Sequence, residues 1–166
     1  MGVLLASVAS VAASQSPRRS QRAEVMQMVG ETEIRAMYIR PVSRGRALFG
    51  ALVPFGRIWT PSADTAMRIS FSTAVEVEGQ ALPAGSYSVW AIPDSTHWTI
   101  IFNKVSSAFH LRHSENEDAL RVNARVDSLS HVETLTLGFP LVEGRMAVLQ
   151  LQWGTTAVSL HINAPE

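Results

Sequence analysis

The sequence predicts an all-β domain, an antiparallel β-sandwich or barrel-like fold of about nine or ten strands with one long irregular loop, on three observations. Apolar and polar residues alternate with a period of two from Thr32 to Ile162. Turn-forming residues recur between the alternating runs, and no run carries 3.6-residue spacing long enough for a substantial helix.

In chain order, Ile34, Ala36 and Tyr38 alternate with Glu33, Arg35 and Met37, as a strand does when one face packs. Met67, Ile69 and Phe71 alternate with Arg68, Ser70 and Ser72. Val75 and Val77 follow opposite Glu76 and Glu78, and Gly79-Gln80 supplies a turn. The pattern continues in Tyr87, Val89 and Ala91, in Trp98, Ile100 and Phe102, in Leu120, Val122, Ala124 and Val126, and in Leu135, Leu137 and Phe139. Leu149, Leu151 and Trp153, then Val158, Leu160 and Ile162, read as two closing strands that form a hairpin across Gly154. The expected core contains Ile34, Tyr38, Ile69, Phe71, Val89, Trp98, Ile100, Phe102, Leu137, Leu151 and Leu160.

A chain of 166 residues with 46% hydrophobic and 17% charged residues has the composition of a packed globule and the length of a single domain. Its 14 basic residues cancel its 14 acidic ones, so no long-range field draws a phosphate backbone and no nucleic-acid partner is expected. With no cysteine, disulfides, thiolate metal sites and cysteine nucleophiles are excluded. Val3 to Ala13 is a small-residue apolar run, and Ala12 and Ser14 stand at the small positions of a cleavage site. Residues 1–14 therefore read as a signal-peptide remnant, although no Lys or Arg precedes the apolar run. Residues 15–23 read as a polar lead-in and 24–166 as one β domain. A periplasmic or extracellular location follows, and no stretch approaches the ~18 apolar residues of a membrane span.

Two stretches break the alternation. Pro41 to Ala66 carries Gly45, Gly50, Pro54, Gly56 and Pro61 beside Leu48, Phe49, Leu52, Val53, Phe55, Ile58 and Trp59, too apolar for a solvated linker. Arg40, Arg44, Arg46 and Arg57 flank or occupy it, and Asp64 is its one acid. Guanidinium groups suit a carboxylate, phosphate or sulfate, which makes Arg40, Arg44, Arg46, Trp59 and Asp64 the candidate site for a small polar or anionic ligand. The competing reading is a clasp in which one arginine pairs with Asp64 and ties the loop to the sheet. The second stretch, Val105 to Asp118, is polar and contains His110 and His113.

Of the tryptophans, Trp98 and Trp153 share the parity of neighbouring apolar residues and are expected inside, whereas Trp90 lies on the face opposite Tyr87 and Val89, covering a second layer with Ile92. A sugar-stacking platform is the alternative for such rings. His97, His110, His113, His131 and His161 read as surface loop residues, because one His-x2-His pair is not a metal site; no metal or other cofactor is expected. Pro83 and Gly85 make a turn into a strand, with Tyr87 hydrogen-bonding that turn through its hydroxyl. No nucleophile elbow, P-loop, HExxH or dinucleotide fingerprint occurs.

Several motifs recur as a set: Tyr38-x-Arg40-Pro41, Gly45-Arg46, Gly50-x-Leu52-Val53-Pro54-Phe55-Gly56, Ile58-Trp59, Ala84-Gly85-x-Tyr87-Ser88-Val89-Trp90-x-Ile92-Pro93, Trp98-x-Ile100-Ile101-Phe102-Asn103-Lys104 and Leu120-Arg121-Val122. With this set the chain resembles the bacterial domain-of-unknown-function family 2911 over most of its length after about Ser16. The resemblance implies an exported, β-rich domain of unassigned activity. Where that family commonly shows Gly-Ala-Asn and then Ala-Thr, this chain has Ser62-Ala63-Asp64 and then Ala66-Met67. An ionised carboxylate cannot donate the hydrogen bonds an amide can, so a role for the amide does not carry over to Asp64.

The expected function is a noncatalytic binding or accessory domain of the cell envelope. The alternatives are a hydrolase-like enzyme using Asp64 with arginine and histidine partners, and a structural assembly partner that pairs through a sheet edge.

Overall fold

The computed structural model describes residues 20–166, so the expected leader lies outside the described residues. Strands β1 (Gln21–Val29), β2 (Thr32–Arg40), β3 (Met67–Phe71), β4 (Val75–Val77), β5 (Gln80–Leu82), β6 (Gly85–Ile92), β7 (His97–Asn103), β8 (Asp118–Glu143) and β9 (Met146–Asn163) follow one another, with one 3₁₀ turn at Glu115–Glu117. All nine strands join one antiparallel sheet in the order β1-β2-β3-β6-β7-β8-β9-β4-β5.

The sheet curls because β8 serves two neighbours in succession. Its first part pairs with β7 from Asp118 to Arg125, and from Val126 onward it pairs with β9 through three register shifts. Such irregularities bend a strand and raise its twist. The bent part of β8 then meets the continuation of β2. Leu135 N donates to Pro41 O at 3.0 Å and Ser43 N to Glu133 O at 2.8 Å. Beyond them the β1–β2 turn touches the β8–β9 turn, with Gly30 N donating to Gly144 O at 3.1 Å. The long β8–β9 hairpin therefore folds over the inner face of β1-β2-β3-β6-β7 and closes the fold around a single core.

Every residue of the expected core is buried there, because the period-two parity of each strand aims one set of side chains inward. Tyr38 also reaches across the closure, where its hydroxyl accepts from Leu137 N at 2.9 Å. The interior retains a void of only about 30 Å³. That is room for a water molecule and not for a ligand. Trp98 and Trp153 are buried as expected, and Trp90 lies on the outer face in a second apolar cluster with Ile101, Ala66, Ala108 and Ile92. The segment after β7 covers that cluster through Ala108, whose carbonyl accepts from Ala66 N. Tyr87 Oη donates to Pro83 O at 2.8 Å, the hydrogen bond expected of it. Glu78 and Gly79 both have positive φ, 50° and 73°, as the tight β4–β5 hairpin requires.

Three expectations are corrected. Gly154 is not a turn: β9 runs unbroken from Met146 to Asn163, and the hairpin turn lies at Gly144. The run from Leu120 and the run from Leu135 belong to the same strand, β8. And β1, unmarked by the alternation that starts at Thr32, is a full strand whose inner positions Ala23, Val25 and Gln27 are only half-buried.

Gly154 keeps positive φ (60°) within a strand, and a Cβ there would meet Leu48 Cδ1 at 2.9 Å. Gly154→Ala is expected to cost about 1–3 kcal/mol, from backbone strain and the Leu48 contact together. Adding Leu48→Ala relieves the contact and leaves the strain. Thermal melts of the single and double variants read this directly, and a single variant as stable as the parent would contradict it.

Candidate functional site

The stretch between β2 and β3 is irregular: its backbone is satisfied partly by tight turns of its own, such as Val53 N to Leu48 O and Gly50 N to Val53 O, and partly by partners in β2, β6 and β8. Pro41 has no N–H to extend the ladder, and the chain turns at Arg44 and Gly45, with φ of 51° and 69°. Glu133, from β8, holds this turn: its carboxylate accepts from Ser43 Oγ at 2.5 Å and from Arg44 N at 2.6 Å. His131 Nε2 lies 3.2 Å from the same carboxylate. The Ser43 hydroxyl, then His131 and the Arg44 N–H, hold the Glu133 carboxyl below the usual range.

The candidate arginines serve the closure as well. Arg40 spans from β2 to β8, its Nε donating to Leu135 O and its Nη2 to Thr136 Oγ1, both at 2.9 Å. Arg46 folds back on the turn, its Nε donating to Ser43 O at 2.8 Å and its Nη2 to Val42 O at 2.6 Å. Arg44 is exposed, with its backbone tied to Glu133.

Aromatic rings fasten the next part of the loop. Phe49 sits 4.7 Å from Trp98, 5.9 Å from Trp59 and 6.1 Å from Trp153, centroid to centroid, and Trp59 stacks on Trp153 at 6.2 Å with planes 9° apart. The Trp59 backbone exchanges hydrogen bonds with Ala91 of β6 at 2.8 and 2.7 Å. Thr60 and Ser62, both buried, complete the attachment: Thr60 Oγ1 donates to Val89 O, and Ser62 Oγ accepts from Ile39 N.

Asp64 stands apart. It is exposed, has φ of 65°, and among the described residues its side chain makes no hydrogen bond or ion pair. Neither Arg40 nor Arg46 pairs with it, so the acid that clasps the loop is Glu133. Asp64→Asn is accordingly expected to change stability by no more than about 0.5 kcal/mol. A melting temperature lowered by several degrees would reveal a partner for this carboxylate.

Arg46 and Phe49, with Trp153 beneath and His131, Thr155 and Thr156 on the far side, line an open recess of about 270 Å³. Asp64 does not line it, and Trp59 supports its floor through Trp153.

A second polar cluster lies where the sequence reading placed surface histidines. The His113 side chain is only 9% exposed, its Nε2 is 2.7 Å from Asp118 Oδ1, and its ring packs edge-on against Trp90 at 5.3 Å. Asp118 also accepts from Asn103 Nδ2 at 2.7 Å and from Arg121 Nε and Nη2 at 2.9 and 2.7 Å. Burial pushes the Asp118 carboxyl up, but the bonds from Asn103, Arg121 and His113 outweigh it and hold the group below its ordinary range. Both carboxylate oxygens are committed, so the pair pins the segment after β7 to the sheet. The signal for it was slight: His113 and Asp118 flank the 3₁₀ turn, and Asn103 closes the Trp98 motif.

Fold and site together define a class: an all-β, barrel-like domain closed by one long hairpin, with an anchored loop over an aromatic floor. The family model described as "Protein of unknown function (DUF2911)" matches residues 20–162, and the chain belongs to that family. Comparison with curated proteins and with solved structures gives no match.

Proposed function

We propose that this chain is an exported, noncatalytic binding or accessory domain of the cell envelope, and that it holds a small polar or anionic ligand in the recess beside Arg46. The observation that carries the reading is the setting of Arg46. Two carbonyls fix its guanidinium in place while the residue stays exposed above Phe49 and Trp153. A guanidinium offers five N–H donors, so donors remain for a ligand, and they are held without further ordering cost. Thr155 and Thr156 add hydroxyls, and the half-buried Phe49 ring offers an apolar contact for a sugar-like body. A catalytic role for Asp64 finds less support, since a general base needs a partner within hydrogen-bond reach and Asp64 makes no hydrogen bond among the described residues.

Tryptophan fluorescence reports on this recess through Trp153. Glucuronate and inorganic phosphate are the probes, and a saturable change with at least one of them is expected, weakened roughly tenfold by Arg46→Ala. No change with either probe, or equal binding by the variant, defeats the ligand reading. Export is tested separately by mass spectrometry of the protein from its native host. A chain beginning near Gln15 supports it, and a retained Met1 rejects it.

A further inference from the structure

On the outer face of the sheet, away from the Arg46 recess, Arg22 of β1 and Arg68 of β3 flank a floor made by Met37 and Ile39 of β2. The segment after β7 overhangs this floor. Thr65 bridges to Phe109, Ala66 N donates to Ala108 O at 3.1 Å, and the overhang borders an open cleft of about 540 Å³. That volume falls within the range of small-molecule sites, unlike the interior void.

The charge in this cleft is unbalanced. Near the cleft, Glu24 and Glu33 are taken by Arg35 and Asp118 by Arg121 and His113, and Asp64, one residue before the lining Thr65, makes no ion pair among the described residues. Among the described residues neither Arg22 nor Arg68 meets a carboxylate, and the one hydrogen bond of the Arg68 side chain is a long one, 3.4 Å, to Ser86 Oγ. Two guanidinium groups therefore face one cleft with their donors largely uncommitted, and Thr65, Ser106 and Ser107 contribute hydroxyls beside them. Strand spacing of ~4.8 Å and a rise of ~3.4 Å per residue put the Cα atoms of Arg22 and Arg68 about 12 Å apart, diagonally across β2. Two long side chains can close on one anion across that gap from opposite sides. The rest of the wall is apolar: Met37, Ile39, Ala66, Ala108 and Phe109, the last half-exposed at 51%.

We infer that this cleft is a binding site for a small amphiphilic anion, with an oxyanion head, phosphate or carboxylate, between Arg22 and Arg68 and an apolar body against Met37 and Phe109. Oxyanion geometry matches the guanidinium fork, and an apolar body removes the exposed Phe109 face from water. The site does not depend on the ligand proposed for the Arg46 recess.

Isothermal titration of the full chain with phenyl phosphate, benzoate and inorganic phosphate tests this. At least one aromatic anion is expected to bind roughly tenfold more tightly than inorganic phosphate, the gain from burying about 55 Å² of apolar surface. Whichever of phenyl phosphate and benzoate binds more tightly identifies the head group. Arg22→Gln and Arg68→Gln are each expected to weaken binding roughly tenfold. Titrations run on the Arg46→Ala chain keep the recess out of the comparison, and in that chain Phe109→Ala should weaken the aromatic anion and leave inorganic phosphate unchanged. The inference is overturned if no aromatic anion binds, if both glutamine variants bind as the parent does, or if Arg46→Ala abolishes binding and so moves the site to the recess.

Discussion

Trp153→Ala is expected to lower stability by about 3–5 kcal/mol, the range for truncating a buried tryptophan. For a chain of this size that corresponds to a drop in melting temperature of about 6–20 °C. The magnitude comes from where the ring sits. Trp153 is buried on the inner face of β9, stacks on Trp59, meets Phe49 edge-on, and donates through Nε1 to Glu133 O at 3.3 Å. It thus joins the aromatic fastening of the loop to the strand whose carboxylate clamps the same loop at Ser43 and Arg44. Removing it opens a cavity between loop and barrel and deprives Trp59 and Phe49 of one of the two rings they share, leaving Trp98. Trp153→Phe, which keeps a ring in place, is expected to cost clearly less, since most of the packing survives. Equilibrium denaturation of both variants decides the matter. An alanine variant within about 1 kcal/mol of the parent would show that the loop is held by its hydrogen bonds alone.

The order in which features became legible follows from the range of the interactions behind them. Period two is local, so β2, β3, β6 and β7, and the burial of Ile34, Ile69 and Trp98, could be read from neighbouring residues. The same parity placed Trp90 on the outer face. A glycine serves a turn and a bent strand equally well, and at Gly154 only the pairing of β9 along β8 distinguishes them. The sequence offers Asp64 for a loop clasp because it is the one acid in the stretch. The working acid, Glu133, lies 90 positions beyond Ser43 and arrives there only through the closure of the sheet. Closure also explains Arg40, whose partners Leu135 and Thr136 have no local relation to it. Nothing in the sequence links Arg22, in the polar lead-in, to Arg68, in the alternating run, since they stand in separate strands and share a cleft only through register with β2.

Asp118→Ala is expected to cost about 2–4 kcal/mol, because one carboxylate satisfies three side chains and its loss leaves the poorly exposed His113 ring without that partner. Removing one partner of a buried ion pair costs about 3–5 kcal/mol, and the figure here is set lower because Arg121 is 38% exposed and can turn to water or to Glu115. His113 cannot, since its side chain is 9% exposed and packs against Trp90, while the buried Asn103 keeps only its Nδ2 bond to Ser114 O. The same carboxylate gives the effect a pH signature. Its hydrogen bonds hold its folded-state pKa below the ordinary value of about 3.9, so its contribution is fully present above that value and is lost as pH falls through the depressed folded value. The free-energy difference between the parent and Asp118→Asn should therefore shrink below about pH 4 from its value near pH 5. Taking the difference removes the separate acid dependence contributed by Glu133, which the substitution leaves in place. Denaturant titrations of both proteins across this range give the curve. A difference that stays constant into acid would mean that the ionised form of Asp118 holds no advantage in the folded chain, and that His113 is fixed by packing against Trp90 instead.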